Sequence, residues 1–202
     1  MSQTTSLRKA ILLIKISGLW VEIKQSWVVF ILILETDRLY LRKMEKSDFH
    51  SLCKMLMDEE VMYAYGGAFC DVDAVSWLER QLERYNEYGF GLWAVILKQT
   101  DEMIGQCGLT MQDFDGTQVL EVGYLFQKEF WHKGYAIEAA KACKEYAFEK
   151  LNANEVFSII RDTNIASMNV AIRNGMTISG CIIKHYRNTD MPHLVFSVKR
   201  AH

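Results

Sequence analysis

Two stretches of this sequence hold residue types at spacings that could do chemistry. The first, residues 123–140, reads GYLFQKEFWHKGYAIEAA: a strand-like pattern passes through a short connection into a helical one, with Gly134 in the first turn. A helix start leaves backbone N–H groups without partners and carries the positive end of the helix dipole. A glycine there lets an anion such as a pyrophosphate approach without meeting a Cβ. Lys133 adds a mobile cation. The stretch matches neither the GxxxxGK(S/T) nor the GxGxxG pattern, and close packing of helix on sheet would use Gly134 equally well. In the second stretch Asn164 is placed as the N-cap of a short helix that Gly175 stops, with Ser167 inside its first turn, where a serine is often only a local hydrogen bonder. Upstream, Glu121 shares a strand face with Gly123 and Leu125 by the two-residue period, so its carboxylate could take a proton through water. A salt-bridged strand glutamate is the structural alternative.

From Leu34 onward strand-like and helix-like segments alternate with short connections. Ser47 is placed to cap a helix over residues 48–57, with Asp48 near its positive end. Asp71 or Asp73 caps a second helix with Val75, Leu78, Leu82 and Tyr85 on its apolar face, ended by Gly89. Strands are predicted over 92–98, 103–111 and 119–126, with turns at 99–101 and 113–116. A long helix follows whose apolar face is Ala136, Ile137, Ala140, Cys143, Ala147, Phe148 and Leu151. Then come a buried strand at 155–160, the capped helix to Asn174, and strands at 177–186 and 193–199. The predicted fold is α+β, a three-layer arrangement with a mixed, mostly antiparallel sheet of about six to seven strands flanked by about four helices. The unit 119–160 is where a parallel pair with a right-handed crossover is expected, and ligands favour such places.

The chain's 202 residues suit one domain. A net charge of −2 gives no field for nucleic acid, and the five cysteines, odd in number and never spaced as CxxC, argue against a disulfide framework or a metal site. They fit a reducing cytoplasm. Residues 1–30 read as an extension of uncertain role before a domain at 31–202. Residues 7–34 are hydrophobic, but Lys15, Glu22 and Lys24 interrupt them. The longest uncharged run, 25–34, is about half of what a spanning helix needs. An added strand or soluble extension is expected ahead of a membrane anchor, and a native start near Ile31 is a further expectation.

The pieces Tyr135-Ala136-Ile137-Glu138-Ala139-Ala140, Asn164-Ile165-Ala166-Ser167 and Asn174-Gly175-Met176, in this order, resemble the GNAT N-acetyltransferase superfamily, and within it the RimJ/RimL-like branch. The opening Leu34-Glu35-Thr36-Asp37-Arg38-Leu39-Tyr40-Leu41-Arg42 is similar to the way that branch begins, so the resemblance covers about residues 34–200. It implies acetyl-CoA as co-substrate. It also implies that backbone N–H groups of Trp131, His132, Lys133, Gly134, Tyr135 and Ala136 hold the pyrophosphate, and that Leu125 and Phe126 pair the pantetheine arm like an added strand. Asn164 and Ser167 would approach pantetheine or thiol from the other side.

Acetyl transfer to an amine needs a neutral amine, a polarised carbonyl and a proton for the leaving thiolate. Backbone N–H near Leu125 and Phe126 is the candidate for the oxyanion, and Glu121 for the base. Where the superfamily often has a tyrosine acid, this chain has Ala171, so Ser167, Tyr186 or water must substitute. Glu138 reads as a helix-surface or capping carboxylate, and Cys143 as core. His185, Tyr186, Asp190 and His193 form a polar cluster that could border the acceptor, with Trp93, Tyr63 and Tyr65 as further lining. The expected activity is direct transfer to a primary amine, a small molecule or a protein N-terminus, with a homodimer left open. A catalytically silent acyl-CoA-binding module is the competing expectation, motivated by Ala171.

Overall fold

The computed structural model describes the backbone of residues 5–8, 11–16, 19–24, 28–186 and 189–201, and side chains from residue 32 onward. In chain order the strands are β1 (Thr5–Arg8), β2 (Ile11–Ile16), β3 (Leu19–Lys24), β4 (Val28–Glu35), β5 (Leu39–Arg42), β6 (Leu92–Leu97), β7 (Glu102–Phe114), β8 (Thr117–Phe126), β9 (Glu155–Arg161), β10 (Thr177–Tyr186) and β11 (Thr189–Lys199). The α-helices are α1 (Phe49–Leu56), α2 (Glu59–Met62), α3 (Asp71–Glu87), α4 (Tyr135–Glu149) and α5 (Ile165–Arg173). Among the described residues nine strands make one sheet in the order β1-β4-β5-β6-β7-β8-β9-β11-β10, and β2 pairs with β3 alone. All neighbours in the large sheet run antiparallel except β8 and β9. The fold is α+β, as expected. The sheet exceeds the expected strand number because β1 and β4 join it, and the boundary expected at residue 31 falls inside β4. The side chains of residues 1–30, on which any role of that segment rests, lie outside the described residues. Among the described residues no helix is long and apolar enough to cross a membrane.

Strand β6 is a continuous apolar run, Leu-Trp-Ala-Val-Ile-Leu, and all its residues are buried. A strand patterned this way is covered on both faces, which is what a sheet sandwiched between helices provides. The core gathers Leu39 and Leu41 from β5, Leu52 and Leu56 from α1, most of β6, and Ala140, Cys143 and Ala147 from α4. Cys143 is fully buried with its Sγ 3.5 Å from that of Cys107, in the core as expected. The tip between β7 and β8 is a two-residue turn: Asp115 (φ 50°) and Gly116 (φ 77°) are both left-handed, and the Gly116 N–H donates to Asp113 Oδ1 at 3.2 Å. This is the hairpin geometry whose twist matches the flanking strands.

Local structure differs from the sequence expectation in three places. Ser47 does not cap α1. It sits inside a 3-10 turn (Lys46–Asp48) that Glu45 caps, and Asp48 is the α1 N-cap. Asp48 is instead committed to a bidentate pair with Arg42, both bonds 2.7 Å. Helix α3 starts after Cys70, with Asp71 and Asp73 in its first turn near the positive dipole end. Its buried stripe is Ala74, Leu78, Gln81 and Tyr85, so Val75 is exposed, and Gln81 is buried beside the expected Leu82, which is only half-buried.

One close approach holds the front of the sheet. A Cβ built on Gly108 of β7 would lie 2.1 Å from the Gly91 carbonyl oxygen and 2.8 Å from Leu92 Cα, backbone atoms that cannot swing away. Gly108→Ala is therefore expected to lower the unfolding free energy by about 3 kcal/mol, the upper end of ordinary overpacking costs, read as a shift of the urea midpoint at unchanged slope.

Candidate functional site

The site begins where the sheet splits. Strands β8 and β9 are parallel neighbours with a single paired position, Glu121 with Phe157. Beyond it they diverge, and side chains bridge them, among these the Ser158 hydroxyl donating to the Val122 carbonyl at 2.8 Å. The β7–β8 register alternates regularly, and the Gln127 N–H donates to Ile104 O. By that alternation Gly123 and Leu125 turn their backbone groups toward β7, while Tyr124 and Phe126 turn theirs toward the gap. The expected Leu125–Phe126 edge thus narrows: the Leu125 N–H is spent on β7, and the Phe126 carbonyl accepts from Trp131 Nε1 at 2.9 Å. The N–H and C=O of Tyr124 and the N–H of Phe126 remain along the open edge.

Glu121 stands at the fork. Its Oε1 accepts from the Ile159 N–H at 3.0 Å, a group the divergence of β9 leaves without a strand partner, and its Oε2 accepts from Thr110 Oγ1 at 3.2 Å. Gln112 Nε2 backs Thr110 at 3.1 Å. The carboxylate is partly buried and faces a cavity of about 550 Å3. That cavity is also lined by Tyr65 and Trp77, by Leu125, by Asn164 and Ser167, and by the β10–β11 hairpin residues Tyr186 and His193. The expected polar cluster at the hairpin therefore does border it. Trp93 does not: it is fully buried in β6, its ring edge-on to Tyr146 at 5.2 Å, so its place is the core.

Asn164 caps α5, its Oδ1 accepting from the Ser167 N–H at 3.0 Å. The Ser167 carbonyl in turn accepts from the Tyr124 hydroxyl at 2.7 Å, which spans the gap from β8 to α5. Burial pushes the Tyr124 hydroxyl well above the ordinary tyrosine value, so it stays protonated. Ala171 is buried on α5 and offers no hydroxyl. His193 is held low, first by burial and then by Lys184 and Arg161. Its Nδ1–H donates to the Met191 carbonyl at 2.7 Å, a bond that opposes the lowering without overcoming it.

At the other end of the gap the chain crosses a short 3-10 turn (Lys128–Phe130) into α4. His132 (φ 60°) and Gly134 (φ 80°, the α4 N-cap) are both left-handed. The Trp131 N–H is already given to the Lys128 carbonyl at 3.1 Å, which removes it from the expected donor set. Among the described residues the N–H groups of His132, Lys133, Gly134, Tyr135 and Ala136 have no backbone acceptor, as a helix start requires. Sequence reading missed what fixes this loop. Arg38 donates through Nη1 to the Lys133 carbonyl (2.9 Å) and through Nε to Glu138 Oε2 (2.6 Å), and its guanidinium covers the Tyr135 ring at 4.5 Å. The Arg38 N–H and the Thr36 hydroxyl both donate to Glu138 Oε1, at 2.9 and 2.6 Å. Burial opposes the charge on Glu138, but these bonds and the Arg38 charge outweigh it and hold the carboxyl below its ordinary value. Glu138 is a clamp rather than a surface carboxylate.

Comparison with known proteins gives the family and the fold. The family described as "Acetyltransferase (GNAT) domain" matches residues 38–177. YkkB of Bacillus subtilis (strain 168), an uncharacterized protein by its name, is 37% identical over 152 residues, 75% of this chain and 88% of that protein. The crystal structure of an acetyltransferase from Agrobacterium tumefaciens str. C58 superposes with a TM-score of 0.69 at 28% identity, covering 83% of this chain and 94% of that one. A structure of RimL, a ribosomal L7/L12 alpha-N-protein acetyltransferase in complex with coenzyme A, shares the fold with a TM-score of 0.66 at 15% identity, over 83% of this chain and 97% of that one.

Proposed function

Because the chain belongs to the GNAT acetyltransferase family, we propose that it moves an acetyl group from acetyl-CoA to a primary amine directly, in a ternary complex at the β8–β9 fork. The observation that carries this reading is the alignment of an open strand edge at Tyr124 and Phe126 with a bare helix start at residues 132–136, an extended arm leading to an anion cradle. A Cβ on Gly134 would meet Arg38 Nη2 at 3.4 Å, so the cradle is close-fitted. Acetyl-CoA supplies the activated acyl group. The loop N–H groups and Lys133 bind its pyrophosphate, and Asn164 and Ser167 flank its arm from α5. The Phe126 N–H is the oxyanion donor. Glu121 takes the amine proton, through water, into the cavity. The reducing cytoplasm suits the free thiols of the chain.

The leaving thiolate needs a proton, and Ala171 cannot give one. Tyr124 brings a protonated hydroxyl to the same side of α5 from the opposite direction, beside Ser167. In this reading Tyr124 passes its proton to the thiolate while its oxygen regains, through cavity water, the proton that Glu121 took from the amine, and Ser167 holds the sulfur side. Tyr124→Phe is expected to lower kcat about tenfold to a hundredfold with the acetyl-CoA KM nearly unchanged, measured by thiol release. A silent binding module would show no amine-dependent thiol release at all, so an acceptor screen with acetyl-CoA separates the two readings.

The clamp yields a separate expectation. Since the Glu138 carboxyl is held low, its hold on the loop is complete above the ordinary carboxylate range and is lost as pH falls through the lowered value. Glu138→Ala should weaken acetyl-CoA binding about tenfold in calorimetry at neutral pH, by loosening the loop, while kcat at saturation changes little.

A further inference from the structure

The charge on the cavity wall identifies the acceptor further. Arg80, Arg84, Arg161 and Lys184 line it, against a single carboxylate, Glu121. Among the described residues none of these cations is paired with a carboxylate. Arg84 Nη1 donates to Gln81 Oε1 at 3.3 Å, Arg161 Nη1 to the Tyr63 carbonyl at 2.6 Å, and Arg80 stands 6.0 Å over the Trp77 ring. Glu79, Glu83 and Glu87 of α3 and Asp162 and Asp190 near the hairpin are not part of the lining, and Asp190 bonds His185 at 2.8 Å. Burial and the charge of Arg80 both disfavour the Arg84 cation, while Glu121 favours it, so Arg84 lies within electrostatic reach of both. Like charges gathered in a partly dry pocket repel one another, and a ligand of opposite sign relieves them.

A second, independent observation points the same way. Gln81 and Gln106 are buried to within 1% and line the cavity. Their oxygens are taken, Gln81 Oε1 by the Leu92 N–H and Arg84, and Gln106 Oε1 by Trp77 Nε1 at 3.1 Å. That fixes both amides with Nε2 as the unmatched atom, and neither Nε2 has a partner. Buried donors without acceptors are costly unless a ligand brings acceptors. The pattern is wrong for a polyamine or other polycation, whose charges would face guanidinium groups and unpaired N–H donors.

We propose that the acceptor is a small primary amine that also carries an oxyanion, a carboxylate or a phosphate, which Arg84, Gln81 and Gln106 hold while the amine faces Glu121. The inference rests on the acetyltransferase reading above for the word acceptor, and on the cavity alone for the charge. The cavity volume is that of a small-molecule site.

The test uses the full chain loaded with CoA and matched probes: L-methionine, L-phenylalanine and L-glutamate, each beside its α-carboxamide, O-phosphoethanolamine beside ethanolamine, and spermidine. Calorimetry should show at least one anionic member binding about tenfold or more tighter than its neutral partner, and the arm that does so names the oxyanion. Arg84→Gln should bring that ratio toward one, while Arg84→Lys keeps most of it. Equal or tighter binding of the amides, ethanolamine or spermidine, no binding by any anionic probe, or a ratio indifferent to Arg84→Gln would overturn the proposal. Thiol release from acetyl-CoA is read in parallel. Anion-selective binding without turnover would leave the charge selection standing and remove the transferase reading instead.

Discussion

Glu121→Gln is expected to lower kcat by about a hundredfold to ten-thousandfold while leaving acetyl-CoA affinity within about twofold. The choice of glutamine follows from the geometry. Glu121 has a structural task at the fork, where its Oε1 satisfies the Ile159 N–H. An amide keeps an acceptor oxygen for that bond and nearly the same shape, so the strands stay apart at the same place. What it loses is the ability to take a proton. An alanine would remove both functions and leave the Ile159 N–H unpaired, confusing a folding defect with a chemical one. Steady-state thiol release with a turned-over amine gives kcat, calorimetry with CoA gives the affinity, and the pH profile decides the assignment. A variant that retains full rate across pH would show that Glu121 only holds the fork.

Gly134→Asp is expected to raise the Kd for acetyl-CoA about a hundredfold or more, enough to abolish saturation at ordinary concentrations. Gly134 is left-handed at φ 80°, a conformation most side chains resist, but aspartate is among the few that tolerate it. The chain therefore keeps its turn, and the effect comes from a carboxylate placed where we propose the pyrophosphate binds. Gly134→Ala separates the contributions, because it adds only a Cβ 3.4 Å from Arg38 Nη2 and the cost of the left-handed backbone. Its affinity should fall between those of the parent and the aspartate variant. If the aspartate variant binds CoA as the parent does, the pyrophosphate lies elsewhere.

Much of this architecture is legible in the sequence because it is written in local code. The Asn164 cap, the Asp113–Gly116 turn, the glycine that opens α4 and the alternation of β7 and β8 all depend on residues within one turn or one strand of each other. The features that sequence reading misplaces are those decided across the fold. Trp93 reads as a candidate lining of the acceptor site, and the covered position of β6 inside the sheet makes it core. The Arg38–Glu138 clamp joins residues 100 apart, and no periodicity couples them. Tyr124 stands in the middle of a strand already read for its backbone, while its hydroxyl reaches α5. One signal was present and unused: Trp77, Arg80, Gln81 and Arg84 fall at helical spacing on α3, a polar and aromatic stripe where a plain core-facing helix would be apolar. In the same way Gln81 takes a buried position because the cavity, not the core, lies opposite it.

The most direct test of the central claim follows both products of one reaction. The full chain is incubated with acetyl-CoA and the anionic amines, free CoA thiol is titrated, and the acetylated amine is quantified by mass spectrometry. The account predicts N-acetylated amine appearing one for one with free thiol, at a rate that Glu121→Gln suppresses. Tight CoA binding with no acetylated product from any amine would contradict it and leave the protein a binding module.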